Sequence, residues 1–297
     1  MARAWRCAGL RWAAGGPVLS WAGGRRSALA RGKRVAFAVA EGGVRTCVGA
    51  RGHACPVRAG VPGRSTGARC EECARLDRAH SVAADTAADD PRPYRVYLAW
   101  FGPGLVKVGI TADERGTARL LEQGAVCFSW LGRGPLMAAR RTEELLRAAL
   151  GVPDRVPYAR KRAVRAVRAA LPASEAERAA EIAGLHARAV ALGGWPETLT
   201  PEPFRPVDHA GVFGIEGERR GPAAVAEVAE LVAGGAVGGE LVAAAGPDLH
   251  LATERGVVVL DTRLMTGWEL VSAGGEPCAV PLRELGRAAA GVQDGLF

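Results

Sequence analysis

Residues 94–125 constrain the fold more than any other stretch of this 297-residue chain. Residues 94–101 are aromatic, aliphatic and β-branched, a composition that favours a strand. Glycine and proline at residues 102–104 predict a tight turn, and residues 105–111 predict the returning strand of a hairpin. A helix is expected next, with Asp113 as its N-terminal cap.

Residue types that the chain otherwise avoids are concentrated in this stretch. The 39 basic residues include only three lysines, one of which is Lys107, and two of the three tyrosines are Tyr94 and Tyr97. Asparagine is absent from the whole chain. The clustering favours a functional site at the hairpin, although a hydrophobic hairpin needs Tyr and Ile for packing in any case.

The length and composition predict a folded protein of two or three domains. Hydrophobic residues make up 48% of the chain and charged residues 24%, which excludes a disordered protein. No uninterrupted apolar run reaches about 18 residues, so no transmembrane helix is expected. The first residues mix arginine with apolar side chains and make a poor signal peptide, so a cytoplasmic location is expected.

Positive charge is concentrated in the first half of the chain. Residues 1–75 hold 14 basic and three acidic side chains, whereas residues 173–297 hold nine basic and 18 acidic ones. A basic surface suits a polyanion, so the expected partner is nucleic acid, DNA or RNA, bound within residues 1–172. A fragment ending near Leu192 is then expected to bind as tightly as the whole chain. The alternative is a bipolar surface that aids solubility or domain docking.

Four cysteines lie within residues 41–75, at the end of an expected small β domain that spans residues 1–75. Two of them form a CxxC knuckle, and thiolates in such a set suit a tetrahedral zinc ion. The glycine-rich segment around them needs a cross-link, such as a bound metal ion, to become ordered. We therefore expect a structural zinc ribbon, with His53 as a substitute ligand. The expected ligands are Cys47, Cys55, Cys70 and Cys73.

A redox CxxC and disulfides are the competing interpretations of these cysteines. A redox motif is typical of a helix start in a βαβ unit, which neither flank of the CxxC suggests. Disulfides require an oxidising compartment, for which the sequence contains no signal. Zinc is therefore favoured.

The rest of the chain predicts a linker, several helices and a C-terminal module. Residues 76–93 are expected to be the linker, residues 94–192 a central domain, and residues 207–297 a small α+β or β-barrel-like module. Helices are expected at residues 136–150, 158–171, 173–192 and 223–232, the third of them opened by a capping box of Ser174 and Glu177. Strands are expected at residues 212–217, 249–253, 257–262 and 268–273. In the second of these helices, Lys161, Arg165 and Arg168 share a face and could contact phosphates, although a solvated helix face explains them equally well.

Residues 94–160 resemble the GIY-YIG nuclease superfamily. Tyr97 lies in the first strand, and residues 107–109 (Lys-Val-Gly) stand where the Tyr-Ile-Gly of the second strand would be. Arg119 fits the helix arginine, and Glu143 fits the metal-binding glutamate, with Glu144 as the fallback. The resemblance implies a short sheet flanked by helices and phosphodiester hydrolysis with one divalent ion, Mg²⁺ or Mn²⁺, at Glu143.

Two departures bear on whether such a site would be active. Lys107 replaces the second tyrosine, and the asparagine that usually follows the glutamate cannot be present. The order of a β segment, four cysteines and then Arg119 with Gln-Gly-Ala at residues 123–125 also resembles the uncharacterised bacterial domain-of-unknown-function family 2797. That family implies an organisation and no activity.

The sequence thus predicts an α+β fold with three parts: an N-terminal small β domain with a zinc ribbon, a central GIY-YIG-like domain and the C-terminal module. Three functions are compatible with it: nucleic-acid binding by a degenerate catalytic domain, an active metal-dependent nuclease, and a non-enzymatic protein–protein scaffold. For either of the first two, Tyr97, Lys107, Arg119 and Glu143 are expected to meet in one pocket.

Overall fold

The computed structural model describes residues 3–13, 15–79, 90–166, 174–215, 223–275 and 277–285. It is a mixed α+β structure with two sheets, as predicted. The strands are β1 (Trp5–Ala13), β2 (Gly16–Trp21), β3 (Arg26–Ala28), β4 (Arg34–Val39), β5 (Pro93–Trp100), β6 (Val106–Ala112), β7 (Cys127–Pro135), β8 (Thr200–Pro201), β9 (Val207–Asp208), β10 (Ala224–Val228), β11 (Ala236–Ala245), β12 (Asp248–Thr253), β13 (Gly256–Asp261), β14 (Glu269–Ser272) and β15 (Leu282–Glu284). The helices are α1 (Glu71–Ala79), α2 (Ala118–Gln123), α3 (Leu136–Leu150), α4 (Tyr158–Ala166), α5 (Glu175–Ala191) and α6 (Ala210–Phe213). None of these helices is long and apolar enough to cross a membrane.

The larger sheet joins the two ends of the chain. Its ten strands run in the order β15-β10-β13-β12-β11-β4-β14-β1-β2-β3, so β4 lies between β11 and β14. Phe37 and Val39 of β4 share one core with Val237 of β11. The separate modules expected at residues 1–75 and 207–297 therefore do not form. Each segment alone would expose unpaired strand edges, and pairing between the segments satisfies those backbone groups.

Two local expectations in the C-terminal segment are also wrong. Residues 223–232 were expected to form a helix, yet strand β10 lies there and pairs in parallel with β13. Val212 was expected in a strand and lies in α6. Alanine and glutamate favour a helix locally, but tertiary pairing overrides that preference. Strand β11 was missed because its glycine and alanine residues have low strand propensity.

The smaller sheet has the order β6-β5-β7-β8, and β9 also pairs with β7. Strands β5 and β6 form the predicted antiparallel hairpin, in which Tyr97 lies opposite Gly109. Helices α3 and α5 cover one face, where they pack against Val96 and Leu98. Helix α2 covers the other face, where Leu120 packs with Tyr97. The hairpin therefore presents two different faces to two sets of helices.

Of the two expected helix caps, one is confirmed and the other is wrong. Ser174 and Glu177 form the capping box predicted before α5. Asp113 does not cap α2. It begins a separate 3-10 turn (Asp113–Arg115), and its carboxylate pairs with Arg95 and Arg133. Of the helix expected at residues 158–171, the part beyond residue 166 lies outside the described residues.

Candidate functional site

The four cysteines expected to bind zinc lie together. Their sulfur atoms are all within 4.8 Å of one another, and three of the four side chains are buried. Cys47 and Cys55 lie on a loop held by short bridges, whereas Cys70 directly precedes α1 and Cys73 lies in its first turn. His53 is not part of the cluster. The arrangement could hold a metal ion such as zinc.

Backbone groups around the cluster favour thiolate ligands. The N–H groups of Gly49 and Cys70 donate to Sγ of Cys47 at 3.3 and 3.2 Å. A backbone hydrogen bond from Ala59 lowers the pKa of Cys55 to about 7. Burial acts in the opposite sense on Cys73 and raises its pKa to about 12. A bound cation would stabilise all four sulfurs in the charged form, and it would therefore oppose the effect of burial on Cys73.

The backbone of the loop is adapted to this tight approach. Gly49 has φ +81°, and a Cβ built on it would lie 1.8 Å from the carbonyl oxygen of His53. One expectation about the CxxC is wrong, since Cys70 does precede a helix, as in redox motifs. A redox pair needs only two sulfurs, however, and here four converge. The cysteines are free thiols, and the cluster favours a metal over a disulfide.

A buried arginine that the sequence did not single out fastens this loop to the larger sheet. Arg45 is only 1% exposed, and its guanidinium donates to the carbonyl oxygens of Pro62, Ser65, Arg263 and Thr266. The four acceptors come from the loop and from the C-terminal segment. No local pattern distinguishes Arg45 from the other arginines of a basic segment.

Tyr97 and Lys107 share one face of the hairpin. Nζ of Lys107 lies 5.6 Å from the centre of the Tyr97 ring and donates to the carbonyl oxygen of Asp154 at 3.0 Å. The hydroxyl of Tyr97 accepts a hydrogen bond from Nε2 of Gln123 at 2.8 Å. The side chain of Gln123 therefore connects the end of α2 to the first strand of the hairpin.

Gly109 lies directly under the ring of Tyr97. A Cβ on this glycine would approach the Tyr97 hydroxyl to 2.4 Å and its Cζ to 2.5 Å. We expect Gly109→Ala to lower the free energy of unfolding by about 1–3 kcal/mol, because the buried ring cannot move without disturbing its neighbours. Denaturant unfolding measures this effect. Gly193→Ala is the matched control, since nothing lies within 4 Å of its Cβ position. Equal stability of the two variants would contradict the expectation.

Glu143 lies outside the cleft beside Lys107 and Arg119, although it is near enough to Lys107 for that charge to act on its carboxyl group. It lies on α3, which packs on the face of the sheet opposite to α2. Its side chain is half-buried, and burial raises its pKa although the charge of Lys107 opposes this shift. Of the four residues expected in one pocket, Lys107 and Arg119 line the cleft, whereas Tyr97 and Glu143 do not.

That cleft has a volume of about 950 Å³ and lies where the central unit meets the larger sheet. Its carboxylates are Glu122 and Asp154, and eight basic residues line it. Arg119 and Arg11 have no ion-pair partner among the described residues. The eight basic residues are Arg11, Arg69, Lys107, Arg115, Arg119, Arg155, Lys161 and Arg263.

The basic residues expected along α4 do not form a solvated face. Lys161 is 3% exposed, at the floor of the cleft, and Arg165 is buried in an ion pair with Asp248 at 2.8 Å. Arg162 pairs with Asp248 at 2.6 Å and with Asp261 at 2.9 Å. This network joins α4 to the larger sheet. Arg168 lies outside the described residues.

The fold and these features define a mixed α+β protein with a candidate metal centre and a cationic cleft between its two sheets. A family model described as "Protein of unknown function (DUF2797)" matches residues 32–270, so the chain belongs to this family. The resemblance to that family noted from the sequence is thereby confirmed. Comparison with curated proteins and with solved structures gives no match.

Proposed function

We propose that this protein binds nucleic acid through its cationic cleft and that the cysteine cluster is a structural zinc centre. The observation that carries the proposal is the lining of the cleft, with seven arginine and lysine side chains besides Lys161 and only two carboxylates. Phosphate neutralisation by arginine and lysine supplies much of the affinity of nucleic-acid binding. Arg119 is the central phosphate contact in this proposal. Its planar guanidinium group suits a phosphate and has no ion-pair partner among the described residues.

The site favours binding over hydrolysis. In the GIY-YIG resemblance, Glu143 would hold the divalent ion, yet it lies on α3 and does not line the cleft. Burial raises its pKa and so disfavours the charged form that a Mg²⁺ ligand requires. Lys107 also stands where the superfamily has a tyrosine. We therefore propose a GIY-YIG-like domain with a degenerate catalytic motif.

The lining of the cleft extends beyond residues 1–172. Arg263 and the turn at Gly246 also line the cleft, and a fragment ending near Leu192 would lack strands that pair with β1 and β4. The acidic character of the C-terminal segment is partly internal, since Asp248 and Asp261 face arginines. Tests of binding therefore require the whole chain.

We expect Arg119→Ala to weaken binding of a labelled oligonucleotide by about tenfold and to reduce the slope of log K against log salt by about one. Fluorescence anisotropy with single-stranded DNA, duplex DNA and RNA measures both quantities. The matched control is Arg188→Ala, an exposed arginine on α5 at the opposite face of the central sheet.

Three outcomes would contradict the proposal. Equal affinity of the two variants would place binding elsewhere on the chain. Cleavage of the oligonucleotide with Mg²⁺ or Mn²⁺, lost in Glu143→Gln, would make the protein a nuclease. Absence of salt-dependent binding to all three nucleic acids would favour the protein–protein scaffold.

A further inference from the structure

Lysine is rare in this chain, and two of its three lysines line the same cleft. The 39 basic residues include only Lys33, Lys107 and Lys161. Lys33 is exposed in the turn before β4, whereas Lys107 and Lys161 lie in the cleft. Arginine serves as the cation nearly everywhere else. A position that keeps lysine therefore favours a property that arginine lacks, and an amine that can lose its proton is such a property.

The surroundings of Lys161 favour the neutral amine. Its Nζ donates one hydrogen bond, to the carbonyl oxygen of Gln123 at 3.2 Å, and lies 3.7 Å from the centre of the Phe101 ring and 4.7 Å from that of Tyr158. Among the described residues no carboxylate lies within 4.0 Å to neutralise an ammonium group. The two rings favour the charged form, so they act against the effect of burial.

The charges near Lys161 act in the same direction as its burial. Burial and, to a smaller extent, the neighbouring cations together lower the pKa of Lys161 to about 6. These cations come from β6, α2, α4 and the turn after β13: Lys107, Arg119, Arg165 and Arg263. Near neutral pH the amine therefore has a free electron pair and is nucleophilic.

We propose that Lys161 forms an imine with an aldehyde that is carried next to a phosphate group and held by the arginines of the cleft. The inference rests on the proposed function for its first source of such an aldehyde, the ring-opened sugar of an abasic site in nucleic acid. A small phosphorylated aldehyde carries the same chemistry. In both cases Arg119 binds the phosphate, and the aldehyde reaches the amine at the floor of the cleft.

The step balances without any further reactant. The Nζ electron pair attacks the carbonyl carbon, so a C–N bond forms as the C=O π bond breaks, and the oxygen takes one proton from the attacking nitrogen to give a carbinolamine. The hydroxyl group then leaves as water with the second proton of the nitrogen, and the C=N bond of the imine forms. Borohydride, added in the test, delivers hydride to the imine carbon and converts the adduct into a stable secondary amine.

The test is borohydride trapping with the full-length protein. The probes are an oligonucleotide with one abasic site, the same oligonucleotide intact, and pyridoxal 5′-phosphate. We expect a covalent adduct with the abasic oligonucleotide and none with the intact one, and peptide mass mapping of the wild-type adduct should place it on Lys161. Lys161→Arg and Lys161→Met should reduce trapping at least about tenfold, whereas Lys33→Arg should leave it unchanged. Circular dichroism and thermal unfolding check that the variants fold.

The outcomes separate this inference from the proposed function. An adduct mapped to Lys107 or Lys33, or no adduct with any probe, would overturn the inference even if the intact oligonucleotide binds normally. An adduct at Lys161 with pyridoxal 5′-phosphate alone would support the nucleophile and assign it to a small phosphorylated aldehyde. Failure of the intact oligonucleotide to bind would overturn the proposed function, while the pyridoxal 5′-phosphate arm would still test Lys161.

Discussion

Purified protein should contain about one zinc ion per chain, and Cys70→Ser should lose it. The four sulfurs lie within 4.8 Å of one another, and the loop that carries them has little apolar core of its own. In such a segment the metal-binding free energy is folding free energy, so residues 41–75 should lose hydrogen-exchange protection when zinc is lost. Elemental analysis measures the metal content, and hydrogen exchange measures the order of the loop.

Cys278→Ser is the matched control for this prediction. Cys278 is half-buried, like Cys70, but lies outside the cluster, so the variant should keep its zinc and its protected loop. Lowering the pH should release the metal, because zinc binds the deprotonated thiolates. A Cys70→Ser protein with a full complement of zinc would contradict the assignment. So would a disulfide among the four cysteines in metal-loaded protein.

The features that could be predicted are those that depend on residues close together in the sequence. The hairpin followed from aromatic and β-branched strands around a glycine–proline turn, and β5 and β6 form there. The capping box at Ser174 depends on residues three apart and was also correct. The cysteine cluster followed from residue type and spacing, since thiolates gathered in a glycine-rich loop have few other uses.

The parts that were missed depend on distant residues. The pairing of β4 with β11 joins segments about 200 residues apart, and neither strand shows in its own sequence which partner it has. Arg162 and Asp248 are 86 positions apart, and Arg162 is half-buried and Asp248 fully buried, although each looks like a surface residue in its local context. Arg165, expected on a phosphate-binding face of α4, is buried against Asp248 for the same reason.

The candidate site was predictable in its residues and not in its arrangement. Tyr97, Lys107 and Arg119 came from the hairpin and the helix after it, and the structure places them around one face of the central sheet. Glu143 was assigned by analogy alone, and the face that α3 covers depends on how helices pack after the sheet has formed. The contribution of the larger sheet to the cleft was not predictable either, because strands from both ends of the chain supply it.

Asp248→Asn should lower the free energy of unfolding by about 3–5 kcal/mol, because it leaves buried arginines short of a counter-charge. Asp248 is fully buried and accepts hydrogen bonds from Arg162 at 2.6 and 3.2 Å and from Arg165 at 2.8 Å. Denaturant unfolding at constant pH measures the loss. Glu72→Gln removes one partner of an exposed ion pair with Arg75 and should change stability by less than about 1 kcal/mol.

The pH dependence of the same variant distinguishes loss of charge from loss of packing. Burial raises the pKa of Asp248, but the charges of Arg165 and Arg162 outweigh this effect, so its pKa lies below the ordinary value of 3.8. A carboxyl group with a lowered pKa stabilises the fold at pH values above its unfolded pKa, and the contribution is lost as the pH falls through the folded pKa. The stability difference between wild type and Asp248→Asn should therefore be constant above about pH 5 and shrink below about pH 4.

A stability difference that stays constant through acidification would mean that Asp248 stabilises the fold by packing and not by its charge. The attachment of α4 to the larger sheet, and with it the floor of the cleft at Lys161, would then not depend on the buried charge.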